Sequence, residues 1–519
     1  MKKHLFWLAA LTLSMAACTK DTTPGGLEGD KVANAVGSSK FIELVTENGR
    51  FQYAAEDTTT PTLPEGTKKE DDANGAWLTA PDHLVALAGG ADVELDNTSY
   101  YSATGIAYDE TTGTVYVCWH SNRMDDVDED SDSHSHGTNV DENATGNDVV
   151  EPSLKDANDW GGIVDIIKFS ASENNIPDVE PATKYDLKGE FIASYWQPEH
   201  KYNHVVYNGG LLYLASTSWY VGAALHTVPV TPEGFTTTEA VRYNLTGNSA
   251  NCVALVGDDV VTVSGRTNGG VNWFNTDDVV AEYKDGNNTA FNLTSKSVNE
   301  TNANFGGKHI WVDVDNNNTV YVLRNPDAPV IDVYEDGESK GEFIKLEGVK
   351  LAPIDGKNVL FGDDKYLYAC CGYYGLQVID KTEKKVVATS AKEDRHADNM
   401  YAQPWNKYYT ANGVDVDDEY IYVASGAGLA VFEYPKEKAD GELDLNKDGG
   451  LKLKKYATFT GTNNFDGFAK NKKTADGEIK ESSNFVKVIS VAENKYAFVA
   501  YGMYGLRIYD LSTLEDDAE

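Results

Sequence analysis

The chain has 519 residues, with 82 acidic and 44 basic side chains and a formal net charge of −38. A surface this negative repels phosphate, so it argues against binding of DNA, RNA or anionic lipid headgroups and suits neutral or cationic ligands. The 30 tyrosines and 9 tryptophans favour strands over helices. No part of the sequence shows a sustained helical period of apolar residues, which predicts an all-β protein.

The N-terminal segment is typical of a bacterial export signal. Lys2 and Lys3 precede an apolar run, Leu5–Leu13, that is too short to span a membrane. The small residues before Cys18 resemble a lipobox, which implies that residues 1–17 are a lipoprotein signal peptide and that Cys18 carries fatty acid such as palmitate. An ordinary secretory signal followed by a chance cysteine is the alternative.

Composition divides the rest of the chain. Residues 18–39 are polar and rich in glycine, which predicts a flexible tether, and residues 40–519 are expected to form one large domain. Two biased stretches inside it, 56–75 and 121–160, are expected to be mobile insertions.

A strand pattern recurs seven times after about residue 83. Each copy has an apolar strand, an acidic or glycine turn, a second strand often rich in tyrosine, and a third strand; a fourth often follows. Four antiparallel strands repeated in this way predict a seven-bladed β-propeller. The first strands begin at Thr104, His204, Asn251, His309, Asn358, Asn412 and Asn484.

The last copy predicts how such a ring would close. It ends near Leu514 with three strands and no fourth. Since unpaired strand edges are avoided, an N-terminal strand is expected to complete this blade. The candidates are Phe41–Val45, Gly49–Ala54 and His83–Ala88.

The third strands of the last three copies resemble the LVIVD repeat of bacterial surface propellers. They read GLQVID (375–380), GLAVFE (428–433) and GLRIYD (505–510), whereas the first four copies depart from the Gly-Leu opening. The resemblance implies a binding role and no shared catalytic residues. With Lys20-Asp21, which resembles part of the export tag of Bacteroidetes surface lipoproteins, it implies an outer-membrane lipoprotein, facing either the cell surface or the periplasm. The membrane would be contacted through the lipid only.

The residues that open the first strands are mostly amides and imidazoles. In a propeller these positions surround the central channel, where such groups could hold a small ligand or a cation, or could cap turns and bind channel water. The candidates are His204, Asn251, His309, Asn358, Asn412 and Asn484.

Aromatic and cationic residues follow the second strands and are predicted to lie on the same face. Clustered exposed rings suit a sugar or a protein partner, and packing between blades is the alternative. The candidates for binding a glycan or an envelope protein are Trp119, Trp219, Tyr220, Arg266, Arg324, Tyr373 and Tyr374.

Two acidic segments could bind metal. In the first, Asp125–Gly137, carboxylates and histidines alternate, which fits either a cation site on an extended strand or a solvated acidic loop. The second contains Asp444, Asn446 and Asp448, the first half of a Ca²⁺ loop, but Lys455 stands where the bidentate glutamate belongs. A polar turn is the alternative there.

Cysteines and catalytic motifs give little sign of chemistry. Besides Cys18, the chain has Cys118, Cys252, Cys370 and Cys371 inside predicted strands, where small buried residues are the favoured interpretation over disulfides. No common hydrolase, metalloprotease or nucleotide motif occurs. A propeller enzyme of polysaccharide lyase, hydrolase or lactonase type is the alternative function. It could use His204, His309, Arg266 and Arg324.

Overall fold

The structure is a computed structural model. It describes residues 36–37, 44–45, 76–77, 85–87, 99–123, 161–175, 183–198, 201–218, 222–235, 241–245, 249–265, 270–275, 291–292, 309–315, 317–325, 328–349, 357–372, 374–390, 410–425, 428–446, 449–458, 483–491, 494–500, 502, 506–511 and 514. Within these ranges the protein is built of strands, and no helix there is long and apolar enough to cross a membrane. The predicted all-β class is confirmed.

Four short strands precede the repeats. They are β1 (Val36–Gly37), β2 (Leu44–Val45), β3 (Ala76–Trp77) and β4 (Val85–Leu87). β1 and β2 pair with each other, whereas β3 and β4 join sheets formed much later in the chain.

The remaining strands follow the predicted repeats, and we number their groups as sheets 1 to 7. Sheet 1 contains β5 (Ser99–Asp109), β6 (Thr114–Arg123), β7 (Gly161–Asn175) and β8 (Thr183–Pro198). Sheet 2 contains β9 (Lys201–Asn208), β10 (Leu211–Ser218), β11 (Gly222–Thr231), β12 (Gly234–Phe235) and β13 (Val241–Asn244). Sheet 3 contains β14 (Ser249–Val256), β15 (Asp259–Gly265) and β16 (Val271–Asn275), and β17 (Phe291–Asn292) follows it.

The second half of the chain is more regular. Sheet 4 contains β18 (His309–Val314), β19 (Val320–Arg324), β20 (Val330–Glu335) and β21 (Glu338–Lys345). Sheet 5 contains β22 (Leu360–Gly362), β23 (Tyr366–Cys370), β24 (Leu376–Asp380) and β25 (Lys385–Thr389). Sheet 6 contains β26 (Gly413–Val416), β27 (Tyr420–Ser425), β28 (Gly428–Glu433) and β29 (Leu453–Thr458). Sheet 7 contains β30 (Phe485–Val491), β31 (Asn494–Ala500) and β32 (Leu506–Asp510).

The strands of each repeat pair in chain order and antiparallel, as the sequence predicts. Three departures occur in the first half. In sheet 2, both β12 and β13 pair with β11. Sheets 2 and 3 are joined by the pairing of Thr217 with Ser249, and β17 runs parallel to β13 instead of completing sheet 3. Sheet 3 therefore has three strands in the described part of the chain.

Sheet 7 is completed by a strand from the N-terminus. β4 pairs antiparallel with β32, with Leu506 opposite Leu87 and Ile508 opposite Val85. This strand lies within the candidate His83–Ala88, while the other described candidate strand, β2, pairs with β1. Gly49–Ala54 lies outside the described residues.

The first strands of successive sheets lie against one another. β5 contacts β9, and the contacts continue through β14, β18, β22 and β26 to β30, which returns to β5. Glycines permit two of these approaches. A Cβ at Gly105 would lie 3.3 Å from the Cα of His204, and a Cβ at Gly413 would lie 2.8 Å from the carbonyl oxygen of Asn484.

The core consists of apolar layers between adjacent sheets. Because side chains alternate along a strand, one strand supplies two layers: Tyr422 packs with Val499 of sheet 7, whereas its neighbour Val423 belongs to the largest cluster. A further layer between sheets 1 and 2 contains Tyr116 and Leu212. The four cysteines of the domain are free and buried in these layers, so the prediction of small buried residues is confirmed.

Sheets 4, 5 and 6 carry an aspartate in the turn between their first and second strands: Asp315, Asp363 and Asp417. One carboxylate oxygen accepts hydrogen bonds from backbone amides of the turn. The other accepts a hydrogen bond from a tyrosine hydroxyl of the same sheet's second strand, at 3.4 Å from Tyr321, 2.6 Å from Tyr368 and 2.9 Å from Tyr422. We call each such carboxylate an aspartate latch.

The second oxygen of each latch also binds a residue of the next sheet. Asp315 binds the ammonium of Lys381 at 2.6 Å, Asp363 binds the hydroxyl of Tyr434 at 3.1 Å, and Asp417 binds the ammonium of Lys495 at 2.9 Å. Charged hydrogen bonds of this kind are stronger than neutral ones. The latches therefore stabilise the turn and the junction between sheets at once.

Asp313, which lies in β18 and not in a turn, also joins sheets 4 and 5. Its carboxylate accepts a hydrogen bond of 2.6 Å from the amide of Gly362 in β22. Burial raises the pKa of Asp313 to about 7, although the amides of Gly362 and Val314 and the charge of Lys487 act in the opposite direction. This carboxyl is therefore half protonated near neutral pH.

The raised pKa of Asp313 predicts a specific pH dependence of stability. Between the unfolded pKa of about 3.9 and the folded value of about 7, the folded protein holds a proton that the unfolded chain releases. Stability contributed by this group is therefore lost as pH rises through that window. We expect the free energy of unfolding of Asp313→Asn to rise by roughly 2–3 kcal/mol relative to that of the parent between pH 5 and pH 8, measured by urea unfolding. A parallel pH profile for the two proteins would contradict it.

Candidate functional site

A group of six side chains lies where the first strands meet, and we call it the central cluster. Lys357 precedes β22, and the other members come from β6, β9, β14, β18 and β30. The members are Lys357, Cys118, His204, Cys252, Trp311 and Phe485.

Lys357 is the charged member of the central cluster. Its ammonium donates hydrogen bonds to the carbonyl oxygens of Thr104 in sheet 1 and Asn203 in sheet 2. The Nζ atom also lies 5.5 Å from the ring centroid of Trp311 and 5.8 Å from that of Phe485, within the range of cation–π attraction. One side chain thus contacts sheets 1, 2, 4 and 7.

The rings and thiols around the lysine are packed together. The ring of His204 lies 4.8 Å from that of Trp311 and 5.4 Å from that of Phe485. Its Nδ1 atom is 3.5 Å from the Cys252 sulfur and 3.4 Å from the amide nitrogen of Val253. His204 is therefore held by protein contacts on several sides.

Of the titratable groups in the central cluster, Lys357 is the one that carries a charge at neutral pH. Burial, with a further effect of Lys357, lowers the pKa of His204 to about 3, so the imidazole is neutral. Burial raises the pKa of the thiols of Cys118 and Cys252, so both are protonated. Burial also lowers the pKa of Lys357 to about 8, which leaves the amine mostly charged at neutral pH.

The predicted ring of amides joins neighbouring sheets. The amide nitrogen of Asn412 donates to the carbonyl oxygen of Ser483 at 2.9 Å, and that of Asn484 donates to Ala103 at 3.3 Å. Asn358 is buried, and the oxygen of Asn251 accepts a hydrogen bond of 2.7 Å from Ser249. The side chain of His309 lies outside the described ones. The amides of Asn412 and Asn484 thus bond to the backbone of another sheet and not to that of their own turns.

The predicted aromatic surface is only partly described. Trp119 was expected in an exposed loop, but it is fully buried. This expectation is wrong because β6 continues to Arg123, so Trp119 lies within a strand, opposite Ala103 and Ile163. Tyr374 is half-buried and packs against the largest core cluster. Trp219, Tyr220, Arg266 and Tyr373 lie outside the described residues.

Arg324 ends a strand instead of lying in a loop. Its guanidinium makes two hydrogen bonds to Asp332 of β20, one of them 3.1 Å from the Nη2 atom. The paired charge makes Arg324 a less available ligand group than the sequence suggests.

In the half calcium loop, the described side chains of Asp444 and Asn446 are bonded to neighbouring protein groups. The oxygen of Asn446 accepts a hydrogen bond of 2.9 Å from the amide of Gly450, and its nitrogen donates to Leu451 at 3.0 Å. Asp444 binds the ammonium of Lys452 at 2.6 Å. Asp448 lies outside the described residues, as does the acidic segment 125–137. Among the side chains that the structure describes, no three metal-binding groups come together.

Sequence reasoning missed Lys357, Trp311 and Phe485. Lys357 directly precedes Asn358, one of the predicted ring residues. Its position just before a first strand is therefore the sequence feature that could have identified it. Lysine is almost never fully buried without a partner, which is why the sequence alone gives it an exposed position.

Comparisons with known proteins do not assign the chain to a family. No protein-family model matches the chain, and no curated protein matches it. Among solved structures, it is similar to the crystal structure of the computationally designed Ika8 protein, with 7% identity and a TM-score of 0.37. The match covers 79% of this chain and 96% of that one. A likeness this weak carries no argument about fold or function.

Proposed function

We propose that the chain is a lipid-anchored binding protein of the bacterial outer membrane, built as one seven-bladed β-propeller. The observation that carries the propeller is the succession of contacts between first strands, from β5 through to β30 and back to β5. The pairing of β4 with β32 supports closure by an N-terminal strand. The LVIVD-like strands of sheets 5, 6 and 7 agree with this architecture.

The binding partner is a glycan or another envelope protein. In a propeller, the turns between second and third strands lie at the same end as the start of the first strands. Tyr373 and Tyr374 lie in such a turn, and Trp219 lies in the corresponding turn of sheet 2. The net charge of −38 disfavours polyanions as partners.

Binding is favoured over catalysis by the state of His204 and Arg324, the two candidate catalytic groups whose side chains the structure describes. His204 is packed between rings and neutral. Arg324 is paired with Asp332. Neither is presented as a free acid, base or electrophile.

The proposed binding face, formed by the turns between second and third strands, is tested on the Cys18→Ser protein, which lacks the lipid. The measurement is the capture of glycans and of envelope-extract proteins by this protein. Replacing Trp219, Tyr373 and Tyr374 with alanine is expected to weaken capture at least tenfold, because aromatic rings that a partner covers supply most of the binding energy at such interfaces. Tyr420→Ala is the matched control, since Tyr420 begins β27 at the opposite end of a second strand. Equal capture by the triple variant and the parent would refute this face.

The anchor is tested separately by labelling with a fatty acid. Incorporation is expected in the parent and absent in Cys18→Ser, whereas equal labelling of both would refute lipidation at Cys18.

A further inference from the structure

The charge of Lys357 has no anionic partner in the described part of the protein. Its contacts there are two carbonyl oxygens and two aromatic rings. The nearby His204 is neutral and the thiols are protonated. Removing an ammonium from water without a counter-charge costs several kcal/mol, so a bound anion would be favoured strongly.

The ammonium also keeps one N–H group for such a partner. It has three donors, of which two are directed at Thr104 and Asn203. Lys357 retains some accessible surface although it is surrounded by protein. An anion could therefore reach it without displacing the two carbonyl oxygens.

We propose that Lys357 in the central cluster is a binding site for a compact monoanion of carboxylate or halide type. A single cation between Trp311 and Phe485 balances one negative charge and leaves a second uncompensated, which disfavours phosphate. A metal ion is disfavoured by the same ammonium and by the lack of three grouped ligands among the described residues. The site rests on the proposed function because the ring of sheets brings its parts together.

Two sources of this anion share the same chemistry. One is a free ion such as chloride or acetate, and the other is the carboxylate of an acidic sugar presented by a glycan. An acidic sugar would extend the proposed function, because the central cluster would then bind the carboxylate of the glycan that the proposed face holds.

Chlorine NMR line broadening measures the site directly on the intact protein. We expect saturable broadening by the parent, displacement of chloride by acetate and by glucuronate, and weakening as pH rises through about 8, where Lys357 loses its proton. Tighter binding of glucuronate than of acetate would identify the sugar as the source, and equal binding would identify a free ion.

Matched variants separate this site from the general effect of salt. Lys357→Met is expected to lose the saturable broadening, whereas Lys365→Met is expected to keep it, since Lys365 is an exposed lysine paired with Glu437. Lys357→Arg, which keeps the charge if the methionine variant does not fold, is expected to retain binding within tenfold. Unsaturable broadening by the parent, or equal broadening by a folded Lys357→Met, would overturn the site. Chloride binding without glycan capture would refute the proposed face and leave this inference standing.

Discussion

Replacing Asp417 with alanine is expected to lower the free energy of unfolding by about 3 kcal/mol. The carboxylate accepts hydrogen bonds from two turn amides, the hydroxyl of Tyr422 and the ammonium of Lys495. Tyr422 is 1% exposed, so its hydroxyl has little water to replace the lost acceptor. Urea unfolding at neutral pH measures the difference.

Asp418→Ala is the matched control because Asp418 is the adjacent, exposed carboxylate. We expect a change below about 0.5 kcal/mol there. The pH dependence gives a second check. Burial alone would raise the pKa of Asp417, but the hydrogen bonds from Lys495, the turn amides and Tyr422 outweigh it, and the pKa is lowered. Stability from this group is therefore present above the unfolded pKa and lost in acid, as pH falls through the folded pKa.

An effect of Asp417→Ala no larger than that of Asp418→Ala would contradict the latch. Persistence of the acid-dependent loss in Asp417→Asn, relative to the parent, would also contradict it.

The latch shows which part of the fold the sequence predicts. The segments DDKYLY (363–368) and DDEYIY (417–422) identify the turn and its two strands because alternation and turn residues are local signals. The partners Tyr434 and Lys495 come from the following repeat, 71 and 78 residues later. Such pairings depend on how the sheets stack, which no local pattern specifies.

The candidate site was predicted less well for the same reason. Asn412 and Asn484 were placed correctly at the starts of first strands, yet their amides join adjacent sheets. Trp119 is predicted in the loop after the second strand, whereas β6 continues to Arg123. The sequence does not single out Lys357 because its neighbours come from sheets 1, 2, 4 and 7, which are far apart in the chain.

The junction between sheets 7 and 1 differs from the latched junctions. Phe498 stands where Tyr368 and Tyr422 stand in sheets 5 and 6, so it has no hydroxyl for a latch. It makes an edge contact with Phe169 of sheet 1, with the ring centroids 5.0 Å apart. The hydroxyl of Tyr108 also donates to Ser490 at 3.1 Å. This junction therefore combines an apolar ring contact with hydrogen bonds, which include those of the Asn484 side chain to Ala103 and of the Ala103 amide to Gly502.

A double substitution, Val85→Pro with Ala86→Pro, is expected to destabilise the protein by about 3 kcal/mol or more. Successive N–H groups of a strand point to opposite sides, so one of the two prolines must remove a donor that faces β32. Threonine at both positions is the control, because it keeps both donors and favours strands. Hydrogen exchange at Leu506 and Ile508, which lie opposite Leu87 and Val85, is expected to accelerate in the proline variant. Unchanged exchange in β32 together with an unchanged urea midpoint would show that β4 does not hold sheet 7.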